Sequence, residues 1–253
     1  MNVPILIVGE SGSGKTTMLR TLDPATTMIL NTEQKPLPFK NLKHFKNRQV
    51  KSYKEFESMI RAIEAGKASN IKTLILDSIT SLAEMIDSYC ENMFTNYEKW
   101  KQYNLMVVKT IKRLKVLDIQ VIVIGIPENK EESFGDIKQY LRIRGKELKY
   151  GFIEKEFMIV LFTKQMYDED GEMEDVKMFH RPNKFNTAKA PEGMFPKEIS
   201  NDAKDIISKI GEYYAEEVKP QRKKRVIKRN AEANVPKPEG SLPNKRENTA
   251  IRK

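Results

Sequence analysis

Gly9-Glu10-Ser11-Gly12-Ser13-Gly14-Lys15-Thr16 fills every fixed position of a G-x-x-x-x-G-K-[ST] pattern. Each residue type suits a chain of phosphates. The three glycines let backbone N–H groups turn inward on anionic oxygens, where a Cβ would stand in the way. Lys15 can reach the β- and γ-phosphates, and the Thr16 hydroxyl is a ligand for Mg²⁺. With Thr17, this stretch is the candidate site for ATP and Mg²⁺. Two carboxylates are candidates to complete it. Asp77 ends the apolar run Ile71-Lys72-Thr73-Leu74-Ile75-Leu76, the arrangement in which a strand-end acid holds the hydrated metal. Glu33 follows Thr26-Thr27-Met28-Ile29-Leu30, at the strand end where open α/β sheets bind ligands. By position alone it is equally well a solvated strand-end residue.

These groups need a sheet to hold them. Pro4–Val8 reads as a buried strand before the glycine-rich turn, and Met18, Leu19 and Leu22 place a helix directly after it, starting near Lys15. The positive end of that helix would face the same anion. Asp23-Pro24 ends it. Pro36 and Pro38 mark a loop, and Ser52-Tyr53-Lys54-Glu55 is a capping box opening a helix that Gly66 closes. Residues 79–117 read as two helices, with Trp100 and Tyr103 packing. Further strands are expected at 119–125 and 157–162, then a β-hairpin turning at Asp168–Glu172 and a closing helix over 201–217. Strands alternating with helices predict an α/β fold with a mainly parallel sheet covered on both faces.

Regular patterning fails between Pro127 and Tyr150. Lys138, Arg142, Arg144, Lys146 and Lys149 are interleaved there with Tyr140, Tyr150 and Phe152. Cations along a backbone, with aromatic platforms for bases, are what sequence-tolerant single-strand binding requires. An ordinary solvated loop explains the same residues equally well. The stretch His180–Pro191, with Arg181, Lys184 and Lys189 and no acid, could touch nucleic acid, reach a phosphate in a neighbouring subunit, or be plain surface.

Composition bounds the rest. A single cysteine, Cys90, excludes an intrachain disulfide, and no apolar run approaches the ~20 residues of a membrane span. A cytoplasmic protein without a membrane partner is expected. The net charge of +10 is uneven: residues 219–253 hold 12 Lys and Arg against 3 acids, and residues 1–218 hold 33 against 32. Residues 1–218 are therefore expected to form the ATPase domain. Residues 219–253 are expected to be a disordered basic tail with a salt-sensitive pull on polyanions.

Taken in order, these pieces resemble the RecA-like branch of P-loop ATPases, and more closely the short phage-type RecA-core ATPases of the Sak group. Residues Gly9–Thr17, Asn31-Thr32-Glu33, Leu74–Ser78 and Thr187–Phe195, followed by the Asn201-Asp202 helix, carry the resemblance. It implies a RecA-like core, ATP hydrolysis and a role in single-strand annealing and homologous recombination. Single-stranded DNA, a single-strand-binding protein and further copies of the chain would be its partners. It also implies that Glu33 is the general base or water-positioning residue, and that Lys184 or Lys189 reaches the γ-phosphate across a subunit interface. One departure is plain: Ile124-Gly125-Ile126-Pro127-Glu128 offers no polar γ-phosphate sensor at the end of the fourth strand. Two other readings stay open, a nucleotide-switched DNA-binding module with little hydrolysis and a small-molecule or nucleoside kinase.

Overall fold

Alternate residues of each central strand enter opposite cores. The computed structural model describes residues 3–40, 42–132, 135–143 and 153–217. Its main sheet runs β3 (Lys46–Gln49), β2 (Thr27–Asn31), β4 (Thr73–Asp77), β5 (Gln120–Gly125), β1 (Ile5–Gly9), β8 (Ile159–Tyr167) and β9 (Met173–Phe179). All neighbours are parallel except the β8–β9 hairpin. Leu6, Val8, Leu74, Leu76, Val121 and Val123 face α1 (Tyr53–Glu64), α2 (Ile79–Met93) and α3 (Asn96–Lys115). Ile5, Ile7, Ile75, Ile122 and Ile124 face α4 (Ala203–Glu217) and the turn carrying Met18 and Leu19. Such strands read as unbroken apolar runs because both faces are covered. Each side chain so buried stabilises the fold by about 1.5–3 kcal/mol.

The predicted strands and helices form close to their expected bounds. Ser52 caps α1 by accepting from the Glu55 N–H at 3.3 Å. The returning carboxylate of Glu55 takes the N–H of Lys51 (2.8 Å). Tyr103 is fully buried and Trp100 packs edge-on against it, ring centres 6.2 Å apart, with Trp100 itself partly exposed near the Lys99 ammonium.

Three features differ from the sequence expectation. The helix after the glycine-rich loop is a five-residue 3₁₀ turn, Thr17–Thr21. Its bonds are short-range, Leu19 N–H to Thr16 O and Leu22 N–H to Leu19 O, and Leu22 is already extended before Asp23-Pro24. A turn this short contributes little of the helix dipole expected there. Lys46–Gln49 forms an edge strand within the expected loop. Its polar residues show no apolar alternation because it pairs only with β2. Last, the stretch expected to be irregular begins as a hairpin of β6 (Pro127–Glu131) and β7 (Ile137–Leu141). Among the described residues, no helix is long and apolar enough to cross a membrane.

Candidate functional site

The C-terminal ends of β1, β2, β4 and β5 lie along one edge of the sheet. Pairing sets Asn31 opposite Asp77, Asp77 opposite Ile124, and Gly125 opposite Val8. The loop after β1 and the acid that ends β4 therefore converge although β5 separates the two strands. Between them lies a cleft of about 380 Å³, lined by Ser11–Thr17, Asn31, Glu33, Lys35–Pro38, Asp77 and Ile126.

The loop is built as a cradle. Gly12 and Gly14 both have φ of +81°, a conformation that costs glycine little and other residues more. The Gly9 Cα packs so closely that an added Cβ would stand 2.0 Å from Thr163 Oγ1 and 2.5 Å from Ser13 Oγ. Those two hydroxyls share a hydrogen bond of 2.7 Å, tying the loop to β8. From behind, Gln165 donates to the Gly12 carbonyl (3.1 Å) and Asn201 to the Gly14 carbonyl (3.2 Å). None of Thr163, Gln165 and Asn201 is expected from the sequence. They lie some 150 to 190 residues from the loop, and no local pattern marks them.

Lys15 is buried, and its ammonium donates to the Glu10 carbonyl at 2.6 Å. Burial lowers its pKa, opposed by Asp77, Glu33 and Glu10 nearby. Thr16 Oγ1 donates to Asp77 Oδ2 at 2.9 Å. Burial pushes the Asp77 carboxyl up to about 6, partly opposed by that hydrogen bond, while Glu33 adds to the rise. A hydroxyl beside a carboxylate is a pair of hard oxygen donors, which suits a Mg²⁺ ion that keeps waters and phosphate oxygens in its other positions. The donor set fits the expected metal.

Glu33 stands on the rim of the same cleft, two residues beyond β2. Its backbone N–H lies 3.4 Å from the Asp77 carbonyl, and its carboxylate pairs with Lys35 Nζ at 3.1 Å. Ile126 occupies the place after β5, where its N–H donates to Thr80 Oγ1 (3.1 Å). The structure thus brings together Gly9–Thr17, Glu33 and Asp77.

It does not bring Lys184 or Lys189 to them. Lys189 pairs through its backbone with Val160, near the start of β8 and so away from the strand ends that bear the cleft. Burial there lowers its pKa, with Glu154 opposing. Lys184 is exposed, its ammonium 5.1 Å from the centre of the Phe185 ring. Of the residues expected to meet DNA, Lys138 lies on β7, and Arg142 and Arg181 are exposed. Tyr140 corrects the expectation of a stacking platform: it is 8% exposed, hydrogen-bonded to Glu132, and shows no open face. Its aromatic character fits the β7 packing equally well, so sequence could not separate the two roles. Arg144, Lys146, Lys149, Tyr150, Phe152 and the tail 219–253 lie outside the described residues. One link joins this region to the nucleotide loop: Gln139 on β7 donates to the Glu10 carboxylate at 3.2 Å.

A comparison with curated proteins gave no match. The AAA domain family, in contrast, matches residues 1–193, which span the glycine-rich loop, both carboxylates and every strand of the sheet. With a phosphate cradle at the edge of a mostly parallel sheet, the chain belongs to the AAA domain family of P-loop ATPases.

Proposed function

We propose that this ATPase is of the RecA-like, Sak-type kind: Mg²⁺-dependent, binding single-stranded DNA, and promoting annealing or homologous recombination. The observation that carries the reading is the convergence of Lys15, Thr16, Asp77 and Glu33 on one cleft. Thr16 and Asp77 would hold Mg²⁺, whose charge offsets that of the phosphates when bound. Lys15 exchanges the Glu10 carbonyl for a phosphate oxygen. Glu33 takes a proton from the attacking water, whose oxygen bonds to the γ-phosphorus as the bond to the β-phosphate oxygen breaks. Leu37, between Pro36 and Pro38, walls the cleft with apolar surface.

The DNA half of the reading rests on the cations of β7 and the residues after it, and on the bond between Gln139 and Glu10, a direct path from that region to the loop. Lys184 and Lys189 lie outside their own cleft. In this reading they act on the cleft of a neighbouring copy, so turnover depends on assembly. A single-strand-binding protein completes the partners. The test is ATP turnover with and without single-stranded DNA over a range of protein concentrations. Stimulation by DNA that steepens with concentration is expected; flat, DNA-independent turnover overturns the reading.

A second reading, a nucleotide-switched module with little hydrolysis, is favoured by the ion pair between Glu33 and Lys35, which engages the base candidate, and by Ile126 at the sensor position. Unchanged turnover in Glu33→Gln selects it.

A further inference from the structure

A second groove, of about 660 Å³, lies beside the nucleotide cleft between the first turn of α1 and the exposed face of α2. Glu33, Lys35 and Ile126 line both. Apart from Glu33 and Arg142, none of its lining residues has a role assigned above. Its charge is unbalanced, with Lys35, Lys51, Lys54 and Arg142 against Glu33 and Glu84. Lys51, Lys54 and Arg142 are exposed, and none of the three joins an ion pair among the described residues. Between these cations the wall is apolar and aromatic: Met85 and Tyr89 are half-buried, and the Lys54 ammonium stands 5.8 Å from the centre of the Tyr89 ring. Separated cations over such a wall suit alternating phosphates and bases.

Lys35 makes this groove more than a surface. It is 72% exposed, borders both cavities, and pairs with Glu33 at 3.1 Å. A backbone phosphate entering the groove competes with Glu33 for that ammonium. We propose that the groove seats a segment of single-stranded nucleic acid whose phosphate draws Lys35 away from Glu33, freeing the carboxylate for the attacking water. This rests on the reading of the chain as a strand-binding ATPase with Glu33 as base. It adds the seat and the latch.

The test uses the full chain, fluorescent oligo-dT and ATP turnover. Lys51→Ala/Lys54→Ala lowers the slope of log affinity against log salt by about 1.4, at 0.7 for each lost contact to a single strand. Lys67→Ala/Lys72→Ala, at the far end of α1 and before β4, leaves the slope unchanged. Lys35→Ala raises turnover without DNA and brings the stimulation by DNA toward 1.

If wild-type binds and is stimulated but the Lys51/Lys54 variant keeps its slope, or the control pair falls equally, the seat is wrong and the ATPase reading stands. If Lys35→Ala shows wild-type basal turnover and wild-type stimulation, the latch is wrong. If poly-glutamate binds as tightly and responds to the same variants, the groove takes acidic peptide instead. Wild-type that neither binds oligo-dT nor responds to it removes both the inference and the reading beneath it.

Discussion

Thr16 Oγ1, in the loop after β1, donates to Asp77 Oδ2, at the end of β4, at 2.9 Å although β5 lies between the two strands. The insertion of β5 leaves room above its end for phosphates and a metal while keeping both ligands within reach. Asp77 is buried and its neighbours include Glu33, so its negative charge is costly without a cation. Asp77→Asn is therefore expected to keep nucleotide binding and to lose turnover by a factor on the order of 10²–10³. Fluorescent-nucleotide titration beside a phosphate-release assay checks it; full turnover would remove Asp77 from the chemistry.

Glu33→Gln preserves the size of the side chain and removes its basicity. Loss of a positioned base is expected to lower turnover by about 10²–10⁴ with little change in nucleotide affinity. A rise in KM at unchanged kcat would instead make Glu33 a binding residue.

The two halves of the cleft were not equally legible from sequence. The glycine-rich loop and Asp77 announce themselves because phosphate and metal binding constrain contiguous residues whose types have few other uses. The doubly buried strands are equally plain, since burial on both faces forces runs such as Leu74-Ile75-Leu76. The supports of the loop were hidden: Thr163, Gln165 and Asn201 are ordinary polar residues whose role exists only after β8 and α4 come alongside β1. The short turn at Thr17–Thr21 is hidden because Met18, Leu19 and Leu22 have helical spacing, and spacing does not reveal that the turn is 3₁₀ and already extended at Leu22, before Asp23-Pro24. The β6–β7 hairpin escapes the sequence for the opposite reason. Glu128 and Lys130 pair across their own strand surface, and no apolar alternation records it.

Gly9→Ala tests that hidden support. Its Cβ would meet Thr163 Oγ1 at 2.0 Å and Ser13 Oγ at 2.5 Å, and β1 cannot retreat from a sheet paired on both sides. Overpacking of this kind costs about 1–3 kcal/mol, and displacement of Ser13 weakens nucleotide binding as well. Adding Thr163→Ala removes the nearer clash, so the double variant is expected to recover part of the loss rather than add to it. Denaturant melts of the four proteins in the cycle decide this, and strict additivity would refute the contact.

His180 supplies a pH dependence away from the cleft. It is buried against the edge of Phe195, and its Nε2 has no hydrogen-bond partner among the described residues. Burial holds its pKa below the ordinary histidine value. The folded state then binds a proton less readily than the unfolded chain, so the stabilising contribution is complete above about pH 6.5 and is lost as pH falls through the folded value. Melting temperature is expected to decline on that acid side in wild-type and to decline less in His180→Leu. Parallel curves for the two proteins between pH 7.5 and 5 would remove His180 as the cause.

The basic segment 219–253 bears on strand binding through charge alone. Its 12 cations against 3 acids give it nearly all of the net +10, and residues 1–218 are close to neutral. Ending the chain at Val218 should therefore reduce affinity for single-stranded DNA most at low salt, where counterion release is most favourable, and flatten the salt dependence by about 0.7 for each lost phosphate contact. Turnover without DNA should not change, because the cleft is made wholly of residues before Ile126 and Ile126 itself. Equal affinities for the two forms at roughly 50 mM salt, within the range where such contacts dominate, would mean that the segment does not touch the strand and that the groove, Lys138 and the cations after β7 act without it.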